Sequence, residues 1–295
     1  MRHLRHFVAV ALLVGLVIVH VQTQQSGTSE TVIPFTLTSQ NNIVVQAFLN
    51  GGGALKLMLH TASSGVTLTE EGAKKAKMVF TGSTEMKSWG GGGTSRWSKG
   101  NKLLIGSFQQ GNLTVHENKN SGEGTDGKFG LDIFGKRMVE IDFGRSLIVL
   151  HEKLPAKADR YTRLKMENRD GDLFVPGNCL IEGKDHVTRF LLHTGYSGGL
   201  LLDDEFVAKA GVEGRIKITS ESSLKDSFGH TIKVKNGILP AFVLGKTTIS
   251  EVPVGFFAGA VGAQKMSVLG CEVLKRFNVI LDLANNELYL DLIRR

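Results

Sequence analysis

The sequence is poor in the residues that staple or kink a chain. Of its 295 residues only two are cysteine, Cys179 and Cys271, and neither stands in a C-x-x-C pair. That excludes a zinc or redox site built from such a pair. Two buried thiols and, if the chain is exported, a disulfide are both open readings, because spacing alone does not bring two thiols within bonding distance. Proline is rare, at 5 residues, and long helical periodicities are few, whereas glycine is frequent, at 36 residues. Together these exclude a helical bundle and point to a β-rich chain with tight turns. The formal net charge of +7 comes without a basic stripe, for Lys and Arg are scattered among Asp and Glu and the longest cluster is Lys74, Lys75 and Lys77. No nucleic-acid partner is expected from that distribution.

What is present is a folded composition, 41% hydrophobic and 21% charged, long enough for one large or two modest domains. Arg2, His3, Arg5 and His6 form a basic leader to an apolar run from Phe7 to Val19. The run is shorter than the roughly 20 residues of a bilayer span and fits the apolar core of a signal peptide. No A-x-A triplet marks a cleavage site, so 1–24 reads either as a signal peptide or as an uncleaved membrane anchor. Both place the remainder outside the cytoplasm, as a secreted, periplasmic or membrane-anchored protein. A flexible polar leader is expected over 25–31.

The chain repeats itself once. Phe48 to Thr69 and Cys179 to Leu202 each hold an apolar strand, a Gly-containing turn and a second strand ending in Leu-His-Thr. Gly127 to His151 and Ser267 to Asp291 each hold an apolar-Gly pair (Phe129-Gly130, Leu269-Gly270), a short helix-like piece, a strand ending in Asp, a turn and a last strand. The blocks keep their order, which predicts two copies of one unit, 32–151 and 160–293, joined by the polar stretch Glu152 to Arg160. Alternating and short apolar runs predict strands throughout, and Asn50-Gly51, Asn236-Gly237 and Asn285-Asn286 predict hairpin turns. Short helices are expected near Glu70 to Ala76, Asp203 to Ala210 and Glu272 to Phe277.

This layout resembles the bilobal pepsin/retropepsin-like aspartyl protease family, in which each lobe carries a strand ending in Asp-Thr/Ser-Gly and, later, an apolar-apolar-Gly element. The resemblance spans nearly the whole chain after its leader and implies an all-β fold of two homologous acid-protease-like lobes with a central cleft and few short helices. It puts His60-Thr61-Ala62 and His193-Thr194-Gly195 at the two catalytic triplets, with Thr61 and Thr194 cross-linking the two loops. It places the first flap over Trp89 to Val115, where Trp89, Gly91 and Gly92 would contact substrate, and its counterpart over Phe228 to Val254. It implies a peptide or an unfolded protein segment as the cleft's partner, and no cofactor and no metal.

The departures shape the expectation. Both triplets carry His where the family needs Asp, and the first carries Ala62 where the family has Gly. The family's chemistry needs two carboxylates that share one proton, and an imidazole is bulkier and titrates near 6.5. The expected function is therefore that of a pseudoprotease, binding peptide without cutting it. A hydrolase using the His pair as acid and base is the alternative, and an envelope structural protein with a vestigial cleft is another. A two-His metal or anion site is a further reading, although no third metal ligand is evident. Gly195-Tyr196-Ser197-Gly198-Gly199 matches the G-x-S-x-G serine-hydrolase elbow, which would need a strand before it and a helix after it. The glycine run Gly90 to Gly93 lacks the Gly-Lys-Ser/Thr of a phosphate loop and reads as a flap tip. Asp142 and Asp282 are expected to cap turns, and Asn112-Leu113-Thr114 is a glycosylation sequon.

Overall fold

The structure, a computed structural model, describes residues 30–88, 91–257 and 265–294. The expected signal or anchor segment 1–24, most of the leader and Trp89 lie outside the described residues. The first part of the chain forms β1 (Thr31–Pro34), β2 (Thr36–Leu37), β3 (Ile43–Leu49), β4 (Leu55–Leu59), β5 (Val66–Leu68), β6 (Gly82–Ser88), β7 (Gly91–Ile105), β8 (Phe108–Glu117), β9 (Gly127–Phe129), β10 (Met138–Asp142) and β11 (Leu147–His151). The second part forms β12 (Thr162–Lys165), β13 (Glu167–Arg169), β14 (Asp172–Ile181), β15 (Lys184–His193), β16 (Leu200–Leu202), β17 (Lys217–Lys225), β18 (Thr231–Leu244), β19 (Thr247–Phe257), β20 (Ser267–Gly270), β21 (Phe277–Asp282) and β22 (Glu287–Leu292). Helices are short: α1 (Glu70–Lys75), α2 (Asp204–Ala210), α3 (Val212–Arg215), α4 (Cys271–Leu274) and two 3-10 turns, Leu131–Phe134 and Ala156–Arg160.

The strands make three sheets. Two are mixed and built alike, in the orders β2-β3-β4-β9-β5-β8-β7-β6 and β13-β14-β15-β20-β16-β19-β18-β17, with the same extra pairing, β3–β7 in one and β14–β18 in the other. The first pair of sequence repeats falls on equivalent strands of these two sheets, and the second pair begins on them, at β9 and β20, and runs on into the third. The third is six-stranded, β1-β11-β10-β21-β22-β12, and takes strands from both halves of the chain, meeting where β10 pairs with β21. One face of each mixed sheet and the six-stranded sheet share a continuous core that includes Leu57, Leu59, Phe129, Phe190, Leu192 and Leu269. Burying such side chains contributes about 1.5–3 kcal/mol each, and this is what fixes the alternation of the strands.

Local chemistry explains the helix ends. Asp203 caps α2, accepting a hydrogen bond from the Phe206 N–H at 2.7 Å, and Gly211 closes it in the left-handed conformation at φ 62°. Asn50 and Gly51 take positive φ, as their turn requires, and Asn286 does the same between β21 and β22. Asn236-Gly237 is not a turn: both residues lie inside β18, and the chain reverses instead around Gly245, at φ 61°. Glu30 and Thr31 belong to the folded body rather than to a leader, with Thr31 opposite Leu150 in the sheet and Glu30 beside His151 at 3.2 Å. Cys179 and Cys271 are free and buried, each thiol pushed up to about 12 by burial.

Candidate functional site

Alternation along β4 places Leu57 and Leu59 in the core, so Met58 and His60 stand on the opposite face. Along β15, Phe190 and Leu192 are in the core, and Leu191 and His193 stand on the opposite face. The two turns that follow these strands meet. Thr61 Oγ1 donates to the Leu192 carbonyl at 2.6 Å and accepts from the Thr194 N–H at 3.1 Å. Thr194 Oγ1 donates to the Leu59 carbonyl at 2.7 Å and accepts from the Thr61 N–H at 3.1 Å. This reciprocal network brings the imidazoles of His60 and His193 to 4.4 Å between ring centres, at an interplanar angle of 58°.

The pair is held uncharged. Burial, the neighbouring His193 and Lys128 together drive His60 well below its ordinary value, and burial followed by Lys128 lowers His193 to about 4. Nδ1 of each ring is buried and has no hydrogen-bond partner among the described residues. A Cβ built on Gly195 would lie 2.3 Å from His60 Cδ2 and 2.6 Å from its Nε2. The Cδ2–Nε2 edge of His60 thus rests on Gly195, and Nδ1 lies on the other edge of the ring. Gly195 is required by this close approach, while Ala62 at the equivalent position packs on an apolar cluster.

Lys128 is the residue that the sequence reading missed. It sits on β9 between Gly127 and the core residue Phe129, opposite Met58 and Thr67, on the same face as His60. Burial brings its ammonium down to about 8, with the Asp226 carboxylate opposing that shift. Its one hydrogen bond among the described residues goes to Ser227 Oγ, at 2.8 Å. The signal was available in the repeat: aligning Phe129-Gly130 with Leu269-Gly270 sets Lys128 against Val268, a charge where the other copy is apolar. Across the second sheet the equivalent residues Leu191, Val268 and Leu201 form an apolar cluster with Phe174, Val234 and Phe257.

Two hairpins cover the pair's surroundings. The first, β6–β7, starts at Gly82 and the second, β17–β18, at Lys217, each earlier than the expected blocks beginning at Trp89 and Phe228. Their tips touch: a Cβ on Gly93 would lie 2.5 Å from the Phe228 ring, and one on Gly91 would lie 3.0 Å from the His230 ring. Gly92 pairs with Lys87 within its own hairpin, and a Cβ there would lie 3.3 Å from the Met86 carbonyl. The second tip is tied by Asp226, whose carboxylate accepts from the Phe228 and His230 N–H groups at 2.9 Å and lies 3.0 Å from His230 Nδ1. The Ser227 carbonyl accepts from the Lys119 and Asn120 N–H groups, both at 3.1 Å, which docks the tip on the first half.

Other expected features resolve plainly. Gly195 to Gly199 is a turn between β15 and β16, so the helix that a serine-hydrolase elbow needs is replaced by a strand. Asp142 and Asp282 cap turns as expected, binding the N–H groups of Arg145 and Asn285. Among the described residues no three His, Cys, Asp or Glu side chains are placed to share a metal ion, and no helix is long and apolar enough to cross a membrane. A groove of about 420 Å³ beside α1, lined among others by Glu70, Lys74, Lys77, Phe80, Arg96 and Glu117, shares no residue with the imidazole pair, and four of its charges pair as Glu70–Lys74 and Arg96–Glu117. Beneath the threonine network the space is only about 10 Å³ and is lined by Thr61, Leu192, Thr194 and Leu274.

No known protein-family model matches the chain, and no curated protein matches it significantly.

Proposed function

We infer that this chain is a two-lobed, aspartic-protease-like protein that binds an extended peptide or unfolded protein segment between its halves without hydrolysing it. The observation that carries the reading is the imidazole pair, His60 buried and His193 half-buried, at the centre of a reciprocal threonine network. The family resemblance puts catalytic carboxylates at those two positions. Carboxylate pairs activate water because one is ionised while the other keeps a proton. Two imidazoles lowered well below their ordinary value are neutral at pH 7, so neither carries the acidic second proton there, and both are weak bases. The hairpins over the site suit an extended chain, which would add to them as a strand through backbone hydrogen bonds. The mutual contact of the two hairpin tips favours a second reading, a structural protein whose cleft stays shut.

The test is proteolysis of a diverse peptide library from acid to neutral pH, run on the wild type, on His60→Ala and on the double variant His60→Asp/His193→Asp. The wild type should be silent. Cleavage by the wild type that His60→Ala abolishes would overturn the reading and establish a histidine-based hydrolase. Activity gained by the double Asp variant would show that the surrounding architecture is intact.

A further inference from the structure

We propose that His60, His193 and Lys128 form a carboxylate-binding site, which takes an acidic side chain or a chain-terminal carboxylate of the polypeptide held between the halves. The inference rests on the non-hydrolytic binding reading and names the group that such a site would select.

Three observations converge. The first is the pair of buried Nδ1 atoms, one on each ring, without partners among the described residues. Buried polar atoms in folded proteins are nearly always matched, so an unmatched Nδ1 on each of two rings whose centres lie 4.4 Å apart leaves two positions that a polar guest can satisfy. The second is Lys128, an ammonium with three donors and a single neutral acceptor, Ser227 Oγ, in a surrounding that disfavours its charge. The third is the sign of the local field. Lys128 depresses both imidazoles, which means that its positive charge reaches both rings. A metal cation would meet that charge and only two imidazole ligands, whereas an anion would be drawn by it.

The exchange is chemically balanced. A carboxylate reaching Lys128 replaces a neutral hydroxyl acceptor with an ionised one, which adds the Coulomb attraction of an ion pair to a bond already charge-assisted by its donor. Its second oxygen can accept from Nδ1–H of a neutral ring, which fixes the tautomer that the protein leaves open. The Asp226 carboxylate stands nearby, but its oxygens already accept from Phe228, His230 and the His230 ring side. A guest that takes the ammonium displaces the Ser227–Lys128 bond, one of the contacts that ties the second hairpin tip to the first half.

The experiment measures binding of four probes to the full chain by calorimetry: acetate, acetyl-Ala-Ala-Glu-Ala-Ala-amide, the same peptide with Gln for Glu, and acetyl-tetra-alanine with a free carboxylate. The Glu peptide or the free-acid peptide should bind about tenfold or more tighter than the Gln peptide, and acetate should compete with it. Whichever of the two wins identifies the source as side chain or chain end. Lys128→Met should erase the preference. If that variant does not fold, His60→Gln/His193→Gln serves the same purpose. Equal binding of the Glu and Gln peptides without a free-acid preference, or no binding by any probe, overturns the proposal. Mass spectrometry of the same mixtures separates the two readings. Cleaved peptide sinks the non-hydrolytic reading while a carboxylate preference stands, and intact peptide bound without preference sinks only the carboxylate site.

Discussion

At the scale of the residue, the consequence of burying two imidazoles against a lysine is a defined sensitivity to acid. An unfolded imidazole takes up its proton near 6.5, while His193 in the folded chain does so at about 4. Between these values the unfolded state holds more protons than the folded one, so stability is full above about pH 6.5 and is lost as pH falls toward 4. His193 alone accounts for roughly 3 kcal/mol over that window, and His60 acts in the same direction. Urea unfolding at pH 7 and pH 4.5 should show a loss in the wild type that is smaller in His60→Gln/His193→Gln. An equal loss in both would mean that the rings titrate freely in the folded protein. The two histidines were legible in the sequence because they recur at one place in both repeats. Lys128 left only a faint mark, a charge aligned with Val268 in the other repeat, and the sheet was needed to show that it shares a face with His60.

At the scale of the element, the outer strands of the two hairpins are mostly exposed, and the second tip is held both by polar contacts and by Leu224, Phe228 and Ile232. Strand β17 is exposed along nearly its whole length, and β6 is almost as open. Their sequences, KITSESSLK and GSTEMKS, have no clear apolar alternation, and for that reason the start of each hairpin escaped the sequence reading. Helix α2 was legible because its signals are local, an Asp cap at one end and a Gly at the other. The Asp226 carboxylate holds the second tip through two backbone donors and the His230 ring. Asp226→Ala should raise amide hydrogen exchange at Ser227 to His230 by tenfold or more while the central residues of β18 and β19 stay protected. Unchanged exchange at the tip would show that Lys119, Asn120 and Lys128 suffice to hold it.

At the scale of the whole molecule, the halves are joined by a shared sheet and a shared network. The six-stranded sheet is complete only when β10 meets β21, and Asn41 donates to the Ser197 carbonyl and to Glu272 while accepting from Lys275. Neither the β10–β21 pairing nor these bridges leaves a mark in local sequence, since both depend on residues far apart along the chain. The threonines do leave one, as the residue after each repeated His. Thr61→Val keeps the shape but strands the Leu192 carbonyl and the Thr194 N–H in a buried place. It should destabilise the protein by roughly 2–5 kcal/mol, and Thr61→Val with Thr194→Val should cost less than the sum of the two single changes. Denaturant midpoints of the three variants check this, and simple additivity would mean that the two threonines do not act as one unit.

The two mixed sheets have matching strand orders, and the histidines and threonines come in matched pairs, so most of the centre would look the same if its halves were exchanged. A frame of that kind has no front or back, and a chain bound as proposed would fit it in either direction. Lys128, facing Val268 in the matching place, breaks the equivalence. One side of the centre is basic and the other apolar, and for the bound chain proposed above that difference would set a reading direction.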